Sequence, residues 1–266
     1  GYVVYEVDKD AKYELHFAPS FYEDIKEDSK KNNDVAIKVD PSKYEDHIDE
    51  AKEVMKKYVD AVYLNGESSG GGTNLSTSDN KAQVVSLADD KKSSDGDAEF
   101  TNDVKADREE FIKKFVESFG KGFYNYKPSD AELRTFAEAY IKANSKRAKI
   151  DYKVKTYLPD YAVIYVRPET IDLDNLNVYE LSSKFYDENK GKYSNYSEAM
   201  KAGEKYILEN APSQFESTPL DTSDSMRKEG YEIKMTKKDG KWTIDTSSKN
   251  YDLNDMARTF RGGIGY

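Results

Sequence analysis

Apolar and polar residues alternate in two runs over residues 231–245, and these runs flank the dipeptide Asp239-Gly240. Alternation is the pattern of a half-buried β-strand, and Asp-Gly favours a type I′ turn, in which both central residues need a positive φ. The segment therefore predicts a complete β-hairpin. The turn sets the register, and the expected pairs are Met235 with Ile244 and Lys237 with Trp242 on one face, and Lys234 with Asp245 on the other.

The segment after Asp40 predicts the first amphipathic helix. Asp40 can accept the free amides of a first helical turn, and Pro41 suits the first helical position. Apolar residues then recur at spacings of three and four until Asn65-Gly66, where the run stops. The expected apolar face is Ile48, Ala51, Met55, Tyr58, Val59 and Val62.

Two further helices are predicted from stripes of large apolar residues. The first stripe ends at Gly120 or Gly122, since glycine is typical of a helix end. The second follows Pro128 and opens with Ser129 and Glu132, which have the spacing of a capping box. Such stripes are far more often core than part of a cofactor site, so we expect burial of Phe111, Ile112, Phe115, Val116, Phe119, Leu133, Phe136, Ala137, Tyr140 and Ile141.

A second β-hairpin is predicted over residues 150–157 and 161–167. Its return strand, YAVIYV, is apolar on both faces, which is typical of a strand in the middle of a sheet that is covered on both sides. Another helix is predicted from Asn195 until Pro212 halts it, and a short one near residues 252–260.

The order of these elements indicates an α+β fold with helices packed on curved antiparallel sheets. Helices followed by a hairpin occur twice, over roughly 42–167 and roughly 177–245. We therefore expect residues 1–40 to be a β segment that ends a truncated β domain, and residues 41–175 to form a first α+β unit. Residues 176–266 would form a second unit or complete the same domain.

Residues 66–99 are predicted to be a mobile loop within the first unit. They are poor in aromatic residues and rich in small and polar ones, so they bury too little to offset their chain entropy. The glycines at 70–72 lack the GKS/T ending of a phosphate-binding loop, and a flexible linker is the better interpretation. The alternating carboxylates Asp95, Asp97 and Glu99 lack the other ligands of a calcium loop.

The composition narrows the range of partners. The 266 residues include 51 acidic and 41 basic side chains, which gives a net charge of −10 and a pI near 5.0. Because a phosphate backbone is bound by clustered Lys and Arg, we do not expect nucleic acid as a partner. Mean hydropathy is −0.90, and no apolar run approaches the roughly 20 residues of a membrane-spanning helix.

Catalytic and metal sites are restricted by the lack of cysteine and by the presence of only two histidines. Disulfides, thiolate nucleophiles, Cys-based metal sites and multi-histidine zinc sites are excluded. A Ser/His/Asp triad would have to use His16 or His47, and we interpret both histidines as solvent-facing. Among 51 acidic side chains, proximity in sequence selects no catalytic pair. We assign no catalytic, cofactor-binding or metal-binding residue, and no cofactor.

Three segments carry a family resemblance. Residues 51–67 (AKEVMKKYVDAVYLNGE) with residues 237–245 (KKDGKWTID) resemble exported lipoproteins of Gram-positive bacteria, catalogued largely as domains of unknown function. Many of these are similar to the nuclear transport factor two-like superfamily, a curved sheet wrapped by helices around a cavity. Residues 2–17 (YVVYEVDKDAKYELHF) resemble the last strands of the immunoglobulin-like domain that often precedes such a region. The resemblance implies a signal peptide and a lipid-modified Cys upstream of Gly1, an extracellular location at the outer face of the cell membrane, membrane contact only through that anchor, and no catalytic residue.

The residues leave three functions open. The leading hypothesis is a non-enzymatic, cell-envelope-associated protein that binds a small ligand, a wall polymer or a protein partner. The alternatives are a carbohydrate-active hydrolase that uses paired Asp and Glu, and a structural spacer of a surface lipoprotein. An enzyme predicts two buried carboxylates with shifted pKa values in one pocket, a binder predicts an apolar pocket with few polar groups, and a spacer predicts neither.

Overall fold

The computed structural model describes residues 7–17, 22–23, 26–27, 35–43, 47–64, 100–224 and 226–264. The chain forms two compact units, Gly1–His47 and Ile48–Tyr266. The predicted mobile loop at 66–99, with its glycine run and its alternating carboxylates, lies outside the described residues.

The first unit contains two short antiparallel ladders. Strand β1 (Tyr13–Phe17) pairs with β4 (Val35–Val39), and the two-residue strands β2 (Tyr22–Glu23) and β3 (Lys26–Glu27) pair with each other. Leu15 lies opposite Ile37, and these side chains are 47% and 53% exposed. The longer ladder therefore presents apolar side chains to solvent.

The described part of the second unit contains six α-helices, and these include the first three helices that the sequence predicts. The predicted apolar stripes are buried except at Ile48, Val116 and Phe119, which are partly or largely exposed. The capping box forms as predicted, because Glu132 N donates to Ser129 Oγ at 3.3 Å and Ser129 N donates to Glu132 Oε2 at 2.9 Å. The helices are α1 (Ile48–Tyr63), α2 (Val104–Gly120), α3 (Asp130–Arg147), α4 (Val178–Asn189), α5 (Tyr196–Asn210) and α6 (Tyr251–Thr259).

The start predicted for the first helix is wrong. Pro41–Lys43 is a short 3-10 turn, in which Ser42 Oγ donates to Asp40 Oδ1 at 2.6 Å. Helix α1 begins at Ile48, where the apolar repeat begins. The Asp-Pro signal therefore produces a local turn, because a helix of this kind is stabilised by burial of its apolar face and not by its start signal alone.

Helix α4 has no counterpart among the helices predicted from apolar stripes. Leu181 is its only buried residue, although Val178, Leu181 and Phe185 recur at helical spacing. Its start is nevertheless well defined, because Asn177 Oδ1 accepts a hydrogen bond from Glu180 N at 3.0 Å.

One antiparallel sheet joins the two predicted hairpins. Strands β5 (Lys149–Leu158) and β6 (Tyr161–Ile171) form the first hairpin, and β8 (Tyr231–Lys238) and β9 (Lys241–Ile244) form the second. Because β6 also pairs with β8, the strand order is β5-β6-β8-β9, and the short strand β7 (Leu220–Asp221) pairs with the end of β6. The α+β fold class predicted from the sequence is confirmed.

The closing hairpin has the predicted turn and register. Asp239 and Gly240 have φ values of 51° and 78°, as a type I′ turn requires. The observed pairs are Met235 with Ile244 and Lys237 with Trp242, and Asp245 N donates to Lys234 O at 3.0 Å.

Helices α1, α3 and α6 pack against the sheet and bury one of its faces. The Nε1–H of Trp242 donates to Glu50 Oε1 of α1 at 3.0 Å, and the Tyr231 hydroxyl lies 2.7 Å from Thr259 Oγ1 of α6. The side chains of this covered face are at most 1% exposed at Ala162, Ile164, Val166, Ile233, Met235, Trp242 and Ile244.

Alternate residues of the same strands face away from these helices. Tyr161 and Tyr165 are only half-buried there, and Lys234 is exposed. Val163 lies between the two tyrosines and opposite Thr156 and Lys234, and is 5% exposed. Among the described residues, helices cover one side of β6, and the prediction that its other side is covered as well stays a prediction.

Candidate functional site

A polar groove of about 490 Å³ lies between the start of α4 and the turn Ala211–Gln214. The Gln214 side chain accepts a hydrogen bond from Asn177 N at 2.8 Å and donates to Asn177 O at 3.2 Å. Asn177 Oδ1 is in turn occupied by Glu180 N. The groove amides therefore bind one another and hold the start of α4, so we interpret the groove as a joint between two segments of the fold.

A smaller cavity of about 240 Å³ lies between α1 and β5 and is lined in part by Glu53, Asp151 and Tyr152. The Tyr152 hydroxyl is buried without a hydrogen-bond partner, and burial, with the charges of Asp60 and Glu53 nearby, raises its pKa above its ordinary value. Pockets for small ligands usually exceed about 300 Å³. This cavity is therefore small for an organic ligand.

Carboxyl groups with raised pKa values occur at two separate places. Burial raises the pKa of Asp107 on α2, which accepts a hydrogen bond from the Tyr58 hydroxyl at 3.0 Å. Burial also raises the pKa of Asp172, which accepts a hydrogen bond from Asp174 N at 2.8 Å. Neither residue lines either of the two cavities, so the carboxyl groups with raised pKa values do not form a pair in a pocket, as a glycoside hydrolase would require.

The two histidines and the metal-binding side chains form no site in the described part of the chain. His16 Nε2 lies 3.4 Å from Glu14 Oε2 on an exposed strand, and His47 is exposed. Within the described ranges, no group of three or more His, Cys, Asp and Glu side chains could hold a metal ion. Over the same ranges, no helix combines the length and the apolar character that crossing a membrane requires.

Among the described residues, the sheet surface opposite the helices is also available to a partner. We call it the open face, and it consists of the outward side chains of β5, β6, β8 and β9. At its centre, Tyr165 lies opposite Lys153 on β5 and Glu232 on β8, and Val163 lies opposite Lys234. A bulge between Val154 and Thr156 directs Lys155 to this surface as well, with its Nζ 5.3 Å from the centre of the Tyr165 ring.

An ion-pair network occupies one end of the open face. Lys155 Nζ lies 2.6 Å from Glu232 Oε1, and Arg227 Nη1 lies 2.7 Å from the same oxygen. The hydrogen bond from Lys155 lowers the pKa of Glu232, and the charge of Arg227 acts in the same direction. The principal acidic group in this part of the face is therefore neutralised by two cations.

The described strands of the open face carry an excess of positive charge. The side chains of four lysines make no hydrogen bond or ion pair with another described residue, in contrast to Lys155. Asp245, just after β9, adds one carboxylate to the three on the strands. The four lysines without a partner are Lys149, Lys153, Lys234 and Lys238; the other basic residues are Lys155, Arg167 and Lys241, and the acidic ones are Asp151, Glu169 and Glu232.

The β9 edge of this sheet is covered by residues 100–102. Phe100 forms a parallel bridge with Trp242, and Thr101 N donates to Trp242 O at 2.8 Å. The Asn102 side chain then accepts from Ile244 N at 2.8 Å and donates to Ile244 O at 3.0 Å, as a paired strand would. A partner that approaches the open face would therefore meet side chains and not a free β9 edge.

Sequence reasoning missed the open face as a site. The signal is present in β5, where lysines at alternate positions interrupt an apolar run, and in β6, where Tyr161 and Tyr165 lie on the same face of the strand. This pattern identifies a binding surface only when the side of the sheet that the helices cover is known.

These features define an α+β domain with helices on one side of an antiparallel sheet and a basic, tyrosine-bearing surface on the other. The chain belongs to the family described as "Domain of unknown function (DUF5105)", whose profile matches residues 87–261. The fold is similar to that of a "putative lipoprotein (ycdA)" from Bacillus subtilis subsp. subtilis str. 168, with a TM-score of 0.58 and 20% sequence identity over 95% of this chain and 68% of that chain. Curated proteins gave no match.

Proposed function

We propose that this protein is a non-enzymatic binding module of the cell envelope and that the open face is its contact surface. The observation that carries the proposal is the half-exposed pair Tyr161 and Tyr165 on a sheet whose opposite side is packed by helices. Tyrosine rings offer a large contact area at small entropic cost and are typical of binding surfaces. Neither of the two described cavities is an apolar pocket, and the two carboxyl groups with raised pKa values, Asp107 and Asp172, lie outside both, which favours a surface over an enclosed site.

The cellular location is part of the proposal. The similar fold of the Bacillus subtilis protein, whose own description names a lipoprotein, supports an exported protein tethered by an upstream lipid to the outer face of a Gram-positive cell membrane. A sheet with helices on one side is compatible with the nuclear transport factor two-like superfamily, and the β1–β4 ladder with the end of an immunoglobulin-like domain. In this arrangement the open face would be available to wall polymers or to proteins of the envelope.

The test is sedimentation of the purified chain with cell walls from Bacillus subtilis. Replacing both open-face rings, Tyr161→Ala with Tyr165→Ala, should weaken binding about tenfold or more, because aromatic anchors commonly contribute more than 1 kcal/mol each. The matched control is Tyr179→Ala with Tyr196→Ala, two tyrosines on α4 and α5 that are 83% and 79% exposed. Equal binding by the two double variants, or no binding by the parent chain, would refute the proposal.

A further inference from the structure

We infer that the partner of the open face is a linear polyanion of the cell wall, with phosphate groups joined by sugar or polyol units. The inference rests on the proposed function, because it names the chemistry of the ligand at that same surface. Its starting point is a contrast of charge: the chain as a whole carries −10, whereas the open-face strands carry more basic than acidic side chains. Cations concentrated on one surface of an acidic protein attract an anionic partner to that surface.

The cations that carry this contrast are available to a ligand. Lys153 and Lys234 are exposed and make no ion pair with a described residue, whereas Lys155 is already bound to Glu232. A phosphate that approached Lys155 would compete with a carboxylate at 2.6 Å, but one that approached Lys153 or Lys234 would not. Binding at these two lysines therefore gains charge pairing without breaking an existing pair.

The spacing of the available lysines indicates a ligand with repeated charges. Lys153 on β5 and Lys234 on β8 lie on either side of β6, opposite residues two positions apart, so their backbones are about 12 Å apart at the usual strand spacing and rise. Lys149 and Lys153 lie four residues apart along β5, which corresponds to about 13 Å. One small anion cannot reach all three positions. A chain of phosphates can, and the rings of Tyr161 and Tyr165 would contact the uncharged units between them.

The apolar residues of the open face favour a polymer over a membrane surface. Proteins that lie on a bilayer commonly insert large apolar side chains below the headgroups. Val163 is buried here, and Leu158, opposite Tyr161, is the one large aliphatic side chain of the described open-face strands that is half-exposed. The surface therefore offers mainly charge and ring area, with little aliphatic area to insert into lipid.

The experiment compares binding of the full chain to three probes: Bacillus subtilis walls, the same walls after acid extraction of their phosphate polymers, and vesicles of phosphatidylglycerol and phosphatidylcholine. We expect binding to intact walls that weakens as salt rises, and loss of about tenfold or more on extracted walls, because phosphate contacts are strongly screened. Lys153→Gln with Lys234→Gln should weaken binding to intact walls about tenfold and reduce its salt dependence. The matched control, Lys113→Gln with Lys201→Gln, makes the same charge change at exposed positions of α2 and α5 and should change binding less than about twofold.

The outcomes separate this inference from the proposed function. Equal binding to extracted and intact walls, with the tyrosine variant still weakened, would overturn the polyanion and retain the open face as a binding surface. Vesicle binding as tight as wall binding would overturn the polymer in favour of lipid. Absence of binding to all three probes would overturn the inference and the proposed function together. Thermal unfolding of each variant checks that the surface changes leave the fold intact.

Discussion

On strand β6, Ile164 and Val166 are fully buried beneath the helices, whereas Tyr165, the residue between them, is half-buried and carries Lys155 beside its ring. The two faces of one strand are thus stabilised in different ways. The covered face removes apolar area from water, which contributes roughly 25 cal/mol per Å². The open face relies on cross-strand contacts that contribute about 0.2–1 kcal/mol each.

This difference implies that stability and binding are carried by alternate residues of the same strands. Substitutions on the covered face should change the free energy of unfolding and affect binding only through the fold. Substitutions on the open face should change binding and leave the free energy of unfolding nearly constant.

The largest expected effect is at Trp242 on the covered face. Trp242→Ala should lower the free energy of unfolding by about 3–5 kcal/mol, because it removes a large buried ring and leaves a cavity. Urea denaturation followed by circular dichroism measures the change. The control, Thr236→Ala on the open face, should cost less than about 1 kcal/mol. If Trp242→Ala also costs less than about 1 kcal/mol, the contrast between the faces does not hold.

A smaller effect is expected from removing one hydroxyl in the buried interior. The Tyr140 hydroxyl donates to Ile171 O at 2.6 Å in a buried environment, so Tyr140→Phe leaves that carbonyl without its partner. The expected loss is about 1–3 kcal/mol. Tyr161→Phe on the open face should change stability by less than about 0.5 kcal/mol. Paired thermal and urea unfolding measure the two variants, and equal losses would argue against the distinction.

The smallest expected effect concerns the ion pair of the open face. Lys155 lowers the pKa of Glu232 below its ordinary value of 4.5, so Lys155→Gln should raise that pKa toward 4.5. A lowered carboxyl pKa contributes stability that is present above pH 4.5 and is lost as the pH falls through the lower folded-state value. The stability curves of parent and variant should therefore differ above pH 4.5 and converge in acid. An NMR titration of the Glu232 carboxyl carbon that shows no upward shift in the variant would contradict this assignment.

Local signals account for the elements that were predicted well. Asp239-Gly240 favours a type I′ turn, and the side chains of Ser129 and Glu132 each accept a hydrogen bond from the other residue's backbone amide. Neither feature depends on distant parts of the chain.

The errors arose where a local signal competes with packing. Asp40-Pro41 resembles a helix start, but the helix begins only where an apolar face can be buried. Helix α4 was missed although Val178, Leu181 and Phe185 recur at helical spacing, and it buries only Leu181.

The candidate site was less predictable than the fold. Lys153 and Lys234 are 81 positions apart in the sequence, and they share a surface only because β6 pairs with β5 on one side and β8 on the other. The sequence also did not indicate which face of β6 is open, because apolar residues occur on both faces of this strand and do not show which one the helices cover. Each of these facts depends on long-range pairing, for which the local pattern carries no information.

The amino-acid sequence alone determined the closing hairpin, the capped helix α3, the apolar stripes and the exclusion of cysteine and multi-histidine chemistry, because each depends on residue type or on spacing over a few positions. Only the tertiary structure decided that two hairpins join into one sheet, that helices α1, α3 and α6 bury one of its faces, and that lysines and tyrosines gather on the other. Strand pairing brings together side chains that the chain itself keeps apart, and burial is a property of the assembled layers.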